Sequence, residues 1–200
     1  MRPKREHATN TGQTYMVTTE TWSRRDLFKN ERWARLFIDT LYHYRGQAYL
    51  VHEFVVMPDH IHILMTPLTS LEKAVQFIKG GFSFRARKDL NSNMEVWQKG
   101  FQDHRIRDAN DYAMHVSYIR NNPVKEHFCE RPEESPYSSA HAGFELDAVP
   151  RGLKPQSVGE PDTARLEGVP FQDRIPNQPT ISKTSLAAKA APLQSKVKTA

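Results

Sequence analysis

Two apolar runs joined by a two-residue turn constrain the fold of this chain more than any other feature. Residues 48–57 and 60–66 are rich in valine, isoleucine, leucine and methionine, and only Pro58 and Asp59 separate them. Proline and aspartate are typical turn residues, and a connection this short joins antiparallel neighbours. The pattern therefore predicts a β-hairpin within a sheet.

The rest of the sequence predicts the strands and helices that surround this hairpin. Residues 15–21 predict a strand, residues 31–44 a helix that ends at Gly46, residues 71–90 a helix capped by Ser70, and residues 95–98 with 101–104 an irregular fourth strand. The order βαββαβ, followed by a further helix, is that of a ferredoxin-like split βαβ domain of the α+β class, built on a central antiparallel sheet.

His60 and His62 lie two residues apart in the second run of the hairpin. Residues i and i+2 of a strand point to the same face, so both imidazoles leave the sheet together. Two neutral imidazoles provide half of a site for a divalent metal ion. Such pairs also occur on strands that bind no metal, so the pair alone leaves metal binding open.

Residues 108–123 predict a helix that Asp108 caps and Pro123 stops. Its predicted buried stripe consists of Tyr112, Val116 and Ile119, and its polar edge consists of Asp111, His115, Tyr118 and Asn122. Tyr118 and Asn122 are one turn apart, so a phenol and an amide oxygen reach the same point in space. The alternative is a surface helix with a polar edge and a half-buried Tyr118.

Together these residues resemble a known family. His60-Ile61-His62 resembles the histidine-hydrophobic-histidine motif of the HUH endonucleases. Residues 97–101 (WQKGF), 104–108 (HRIRD) and 118–125 (YIRNNPVK) resemble the single-tyrosine transposases, particularly the REP-associated tyrosine transposases. Residues 131–140 (RPEESPYSSA) match the usual close of that domain. The resemblance covers about residues 15–143, with the motifs in the family order.

The resemblance implies a site and a reaction. His60 and His62 are expected to hold a divalent ion, Mg²⁺ or Mn²⁺, with Asn122 as third ligand on the helix that carries the tyrosine. Tyr118 is expected to attack a phosphate of single-stranded or hairpin DNA and form a 5′-phosphotyrosine link. For His104 and His115, metal or phosphate binding is an alternative to the commoner role of a structural histidine at the edge of the core, and Asp59 is expected to shape the hairpin rather than bind metal.

Aromatic residues are interspersed with basic ones between residues 79 and 107. This segment contains seven basic and three acidic residues. Basic groups bind phosphates and exposed aromatic rings stack on unpaired bases. The candidates for DNA contact are Lys79, Arg85, Arg87, Arg105, Arg107, Arg120 and Lys125. The alternative is a solvated helix face, and for Phe77, Phe82 and Phe84 a place in the core is the favoured interpretation.

Composition divides the chain into an arm over residues 1–14, a domain over 15–145 and a tail over 146–200. From Pro150 onward the chain holds seven of its 13 prolines and one aromatic residue, Phe171, which predicts disorder. Up to Pro150 there are 20 basic and 19 acidic residues, and after it 8 and 4. The net charge is therefore +1 up to Pro150 and +4 after it, so most of the total of +5 lies in the tail.

The single cysteine, Cys129, excludes an internal disulfide and suits a reducing cytosol. The basic N-terminus is not followed by the apolar core of a signal peptide, and no apolar run reaches the length of a membrane span. These features predict a cytoplasmic protein, and the resemblance predicts a bacterial one.

Two other functions remain open at this stage. One is a ferredoxin-like module that binds a DNA or RNA hairpin without cutting it. The other is a zinc hydrolase in which His60, His62 and either His104 or His115 bind the metal and water attacks. The sequence also leaves open whether the protein moves an insertion sequence or acts on dispersed repeats, and whether it forms a homodimer.

Overall fold

A computed structural model describes residues 12–153, so the predictions for residues 1–11 and 154–200 lie outside the described residues. The elements are β1 (Tyr15–Glu20), α1 (Glu31–Tyr44), β2 (Tyr49–Val56), β3 (His60–Pro67), α2 (Leu71–Asp89), β4 (Gln102–Arg105) and α3 (Ala109–Lys125). Within that range, no helix combines the length and the apolar character that crossing a membrane requires.

The four strands form one antiparallel sheet in the order β2-β3-β1-β4. This is the strand order of the ferredoxin-like fold, so the predicted class and topology are confirmed. β3 is a central strand, and in its pairing with β1 His62 lies opposite Thr18 and His60 opposite Glu20. Directly opposite residues share a face of the sheet, so these four side chains belong to one surface.

Helices α1 and α2 cover the other face of the sheet and bury the main core. Phe37 and Phe82 meet with ring centroids 5.5 Å apart, and Trp97 lies at the same distance from Phe82. The helices approach closely because α2 has a glycine at the crossing. A Cβ on Gly81 would collide with the ring of Tyr44 on α1.

Helix α3 packs on the face of the sheet that carries the histidines. A smaller core, which includes Met16, Val55, Leu64, Tyr112 and Ile119, fixes it to the sheet. The predicted buried stripe of α3 is therefore confirmed.

The last strand and the end of α3 differ from the sequence prediction. β4 covers only Gln102–Arg105, and residues 95–98 contribute a single bridge between Thr21 and Trp97. The two pieces do not form a continuous strand because residues 98–101 leave the sheet.

Pro123 does not stop α3, which continues to Lys125. The fixed φ of proline is helical, and near a helix end its missing N–H costs only one backbone bond. The helix ends instead at Lys125, and His127, two residues further on, has a left-handed φ of 59°. The N–H of Phe128 then donates to the carbonyl of Pro123 at 2.9 Å, which closes the last turn.

Residues 137–147 cover the outer edge of β2. The backbone N–H of Val56 donates to the carbonyl of Tyr137 at 2.9 Å, and the N–H of Ser139 donates to that of Phe54 at the same distance. The carboxylate of Asp147 accepts from the N–H of Val51 at 2.7 Å and from Arg45 at 2.8 Å. An edge covered in this way is not exposed to pairing with another chain.

Candidate active site

The first residues of β3 bring the two predicted histidines together. His60 and His62 project from the same face of the strand, and their ring centroids are 4.8 Å apart. Their proximity follows directly from the period of two of a β-strand. His62 is buried, whereas His60 reaches the surface in part.

Each imidazole is held by a hydrogen bond at its Nδ1 atom. His60 Nδ1 donates to the carboxylate of Asp59 at 2.6 Å, and a hydrogen bond of 2.7 Å joins His62 Nδ1 to the hydroxyl of Thr18. Metal-binding histidines are usually oriented by such bonds on the nitrogen that does not bind the metal. The sequence assigned Asp59 only to the turn and did not identify Thr18, whose role depends on the pairing of β1 with β3.

Burial makes His62 a neutral imidazole. Desolvation lowers its pKa to about 3, and the electrostatic effects of His60 and Arg24 act in the same direction. Only a deprotonated imidazole nitrogen can bind a metal ion. In this structure the Nε2 atom of His62 is buried and has no hydrogen-bond partner.

Helix α3 places the predicted tyrosine next to this pair. The ring of Tyr118 meets the ring of His62 edge to face, with centroids 5.2 Å apart, and the tyrosine is 43% exposed. Asn122, one turn further along α3, is only 4% exposed, and its Oδ1 atom has no hydrogen-bond partner. A phenol that is open to solvent thus lies beside the buried His62 and one helical turn from the buried Asn122.

Unsatisfied buried atoms distinguish this site from the rest of the described chain. Of the buried side-chain nitrogen and oxygen atoms in residues 12–153, three have no hydrogen-bond partner: Thr19 Oγ1, His62 Nε2 and Asn122 Oδ1. Each such atom costs about 1–3 kcal/mol. Two of the three belong to the predicted ligand set, and imidazole nitrogen with amide oxygen is a donor set that divalent cations accept. The residues present therefore fit a metal ion.

An ion pair between the half-exposed Arg120 and the buried Glu53 fixes the segment of α3 between Tyr118 and Asn122. The guanidinium of Arg120 donates to the carboxylate of the buried Glu53 at 3.0 and 3.1 Å, and the hydroxyl of Ser139 donates to the other carboxylate oxygen. Glu53 is located where the pairing of β2 with β3 shifts its register. Glu53 was not identified from the sequence, because a bulge inside an apolar run leaves no clear pattern.

His104 and His115 gather around Asp111 on the same side of the sheet. His104 Nε2 donates to the carboxylate of Asp111 at 3.0 Å, His115 Nδ1 lies 3.1 Å from it, and the two rings stack with centroids 4.5 Å apart. Burial alone would raise the pKa of Asp111, but hydrogen bonds from His104 and from the N–H of Arg107 outweigh it and lower the pKa.

These three side chains are close enough to share a cation, yet hydrogen bonds already account for their arrangement. His115 Nδ1 donates to the backbone carbonyl of Asp111 at 2.8 Å as well. In residues 12–153, neither His104 nor His115 forms a three-ligand group with His60 and His62. The ligand set of the zinc-hydrolase alternative is therefore not assembled.

The predicted DNA-binding residues fall into two groups. Lys79 donates to the carbonyls of Gln98 and Gly100 at 2.7 and 2.6 Å, and burial lowers its pKa. Arg85 donates to the hydroxyl of Thr40 at 3.2 Å, and Arg120 is paired with Glu53. Arg87, Arg105, Arg107 and Lys125 are exposed, and Arg120 is half-exposed although it is paired. The first group holds the fold together, and the second is accessible to a ligand.

The aromatic residues of α2 do not all belong to the core. Phe82 is fully buried, as predicted, and Phe77 packs against the core in part. Phe84 is 68% exposed, so its predicted place in the core is wrong. Two residues along a helix correspond to a rotation of about 200°, which turns Phe84 away from the face that Phe82 buries.

Paired histidines on a central strand of a ferredoxin-like sheet, facing a tyrosine on the helix after the last strand, are the arrangement expected of a single-tyrosine transposase. Residues 10–122 match the family model described as "Transposase IS200 like". The chain therefore belongs to the IS200-like transposase family, and the resemblance found in the sequence is confirmed.

Relatives within this family are REP-associated tyrosine transposases. A Haemophilus influenzae protein described in those words is 35% identical over 107 residues, which are 48% of this chain and 61% of the relative. The corresponding Escherichia coli K12 protein is 26% identical over 152 residues, which are 72% of this chain and 83% of the relative. The chain thus spans less than two thirds of the first of these relatives.

A solved structure shares the fold. It is a REP-associated tyrosine transposase bound to a REP hairpin, with 24% sequence identity and a TM-score of 0.55. The match covers 80% of this chain and 97% of the other.

Proposed function

We propose that this chain is a metal-assisted single-stranded DNA endonuclease and strand transferase that acts through a covalent link to Tyr118. The observation that carries the proposal is the contact between the rings of Tyr118 and His62, beside two buried acceptors that lack partners. A domain that only bound DNA would gain nothing from two unsatisfied buried atoms next to an exposed phenol, since each costs stability.

His60, His62 and Asn122 would hold the divalent ion, Mg²⁺ or Mn²⁺. With protons on both Nδ1 atoms, donated to Asp59 and Thr18, the Nε2 atoms of both histidines present lone pairs. Such an ion polarises a phosphate and stabilises the negative charge on the departing oxygen.

Tyr118 supplies the nucleophile. Its phenolic oxygen forms a bond to phosphorus, the bond from phosphorus to the 3′ oxygen breaks, and the phenolic proton is lost while the 3′ oxygen gains one. One phosphodiester replaces another, so the step needs no nucleotide cofactor. The 3′ hydroxyl can later attack the phosphotyrosine and transfer the strand to a new end. Arg120 acts as a positioning residue, because its pairing with Glu53 holds the segment of α3 that carries Tyr118.

The proposed substrate is a DNA hairpin, either a palindromic repeat or an insertion-sequence end. The structural relative bound to a REP hairpin supports this choice. Arg87, Arg105, Arg107 and Lys125 are exposed and would contact the phosphate backbone. Binding should therefore weaken steeply as the salt concentration rises. We place this activity in the cytoplasm, where a bacterial transposase meets its DNA.

The test is covalent capture. Purified protein is incubated with Mn²⁺ and single-stranded hairpins from the flanks of its own gene, and adducts are resolved on a denaturing gel. We expect an adduct that chelation of the metal or Tyr118→Phe abolishes. Tyr112→Phe makes the same chemical change at a buried position of the same helix and should retain the adduct.

The alternative functions predict different results. Hairpins that bind without an adduct in any metal would favour a non-catalytic hairpin-binding module. Hairpins that are cut without an adduct, by wild-type protein and by Tyr118→Phe alike, would make water the nucleophile.

A further inference from the structure

His104, Asp111 and His115 form a cluster that the proposed reaction does not use. His104 lies on β4, whereas Asp111 and His115 lie in the first half of α3. We call these three residues the β4–α3 cluster. One nitrogen or oxygen atom from each side chain lies within 4.8 Å of those from the other two. In residues 12–153, no other group of three histidine, cysteine or acidic side chains has this spacing.

The two carboxylate oxygens of Asp111 have different surroundings. Oδ1 lies 3.1 Å from His104 Nε2 and 3.1 Å from His115 Nδ1, so two ring nitrogens converge on one oxygen. Oδ2 lies 3.0 Å from His104 Nε2 and accepts from the backbone N–H of Arg107 at 3.0 Å. Asp111 is only 5% exposed. The contact with the backbone therefore orients the carboxylate before any ligand binds.

The two imidazole rings are arranged side by side. They stack with centroids 4.5 Å apart and with an angle of 21° between their planes. The ligand atoms of one tetrahedral zinc ion lie about 3.3 Å apart, and each ring nitrogen is already 3.1 Å from Oδ1 of Asp111. In the metal-free protein these separations are hydrogen bonds. An ion would replace them, and each neutral ring would keep its proton on its other nitrogen.

We propose that the β4–α3 cluster binds Zn²⁺ through His104 Nε2, Asp111 Oδ1 and His115 Nδ1. Two imidazole nitrogens and one carboxylate oxygen are a donor set typical of zinc. The side chain of His104 is 40% exposed, so water can reach the fourth position of the ion. The site is separate from the candidate active site, because neither of its histidines forms a three-ligand group with His60 and His62. It does not depend on the proposed function.

The ion would connect β4 to the helix that carries the tyrosine. His115 precedes Tyr118 by about one turn, so the ligands would fix the part of α3 just before the tyrosine. Binding would stabilise the folded protein, because the unfolded chain does not hold the three ligands together. The guanidinium of Arg107 lies 3.5 Å from Oδ2 and opposes a cation, but its side chain is 75% exposed and can turn towards solvent.

Zinc titration of the full-length protein tests the proposal. Zn²⁺ is added in competition with a chromophoric chelator, so that each tight site is counted and its affinity measured. We expect His104→Gln and Asp111→Asn each to bind one equivalent fewer than the wild type, or to bind that equivalent more than about 100-fold more weakly, beyond the usual effect of residues that only orient a ligand. His43→Gln is the matched control, because it removes an exposed histidine of α1 and should keep the wild-type titration.

The protonated nitrogen of each imidazole provides a second measurement, which the wild-type protein alone supplies. Long-range ¹H–¹⁵N spectra of histidine rings show which nitrogen carries the proton. When Zn²⁺ is added, the proton of His104 should move from Nε2 to Nδ1, and that of His115 from Nδ1 to Nε2. The spectra of the single variants assign the signals, and the thermal midpoint of the wild type should rise with Zn²⁺ more than that of Asp111→Asn.

Two results would overturn the proposal. One is Zn²⁺ binding by His104→Gln and Asp111→Asn that equals wild-type binding in amount and affinity. The other is a change on adding Zn²⁺ that is confined to the rings of His60 and His62, which would place the ion only in the candidate active site. Neither result bears on the covalent link to Tyr118. Conversely, zinc binding by the cluster would stand even if no DNA adduct forms in any metal.

Discussion

The two faces of the sheet are built for different tasks. The face covered by α1 and α2 buries a continuous apolar core in which aromatic rings such as Phe37, Phe82 and Trp97 meet edge to face. The face covered by α3 has a smaller apolar cluster and, beside it, His60, His62 and Asn122. The same strands supply both faces, because alternate residues point to opposite sides.

The difference shows where this protein accepts a cost in stability. In residues 12–153, two of the three unsatisfied buried side-chain atoms belong to His62 and Asn122, beneath α3. The ion pair of Glu53 with Arg120 also lies beneath α3. The face under α1 and α2 therefore provides most of the stability. The face under α3 holds polar groups where a ligand can reach them, at a cost in stability.

The largest effect is expected from the face beneath α1 and α2. Phe82→Ala should lower the free energy of unfolding by about 3–5 kcal/mol, because it leaves a cavity among packed aromatic rings. Phe84→Ala, on the same helix but exposed, should change it by no more than about 0.5 kcal/mol. Urea denaturation of both variants measures the contrast, and equal losses would contradict the assignment of the core to this face.

The ion pair beneath α3 should give a smaller but substantial loss. Arg120→Ala leaves the carboxylate of Glu53 buried without its cation, and a hydrogen bond to a charged group contributes about 1.5–3 kcal/mol. The half-exposed guanidinium places the expected loss at the lower end of that range.

A double-mutant cycle tests the assignment. Adding Glu53→Gln to Arg120→Ala should recover part of the stability, because no unpaired charge then remains. If Arg120→Ala leaves stability unchanged and reduces only DNA affinity, Arg120 is a DNA contact, as the sequence suggested.

Features with a local period were predictable from the sequence. The helix over Glu31–Tyr44 has the predicted bounds, and the hairpin that carries His60 and His62 follows from the apolar runs and the turn between them. The polar edge of α3, with Tyr118 and Asn122 one turn apart, follows from helical spacing.

Features that depend on tertiary contacts were not predictable. The bond from Thr18 to His62 requires the register of β1 against β3, and the pair of Glu53 with Arg120 requires both a bulge and the placement of α3. Lys79 resembled a DNA contact because its carbonyl partners, Gln98 and Gly100, lie in a loop that left no periodic signal.

Replacing Asn122 should show how much stability the candidate metal site costs the metal-free protein. Asn122→Leu replaces an unsatisfied amide by an apolar side chain of similar size, so the metal-free protein should gain up to about 1–2 kcal/mol in free energy of unfolding. Mn²⁺ should raise the thermal midpoint of the wild-type protein and leave that of the variant unchanged.

Asn121→Leu is the control for this change. Asn121 is exposed, precedes Asn122 on the same helix, and its amide donates to the carbonyl of Ser117. Its replacement should keep the response to Mn²⁺. An undiminished response of Asn122→Leu would remove Asn122 from the ligand set.

The smallest effect is expected at Asp111, which joins β4 to α3 on the functional face. Asp111→Asn keeps the shape but weakens the bonds from His104, His115 and the N–H of Arg107, at a cost of about 1 kcal/mol near neutral pH. The lowered pKa of Asp111 means that the unfolded chain binds its proton at a higher pH than the folded one. Its contribution is thus complete above the ordinary aspartate pKa of about 4 and is lost as the pH falls through the lower folded value. Urea denaturation of the wild-type protein and Asp111→Asn is measured from pH 7 down to pH 3. The difference in their free energies of unfolding should disappear only at the acid end of this range. A difference that does not change with pH would mean that the charge of Asp111 contributes nothing and that only its shape matters.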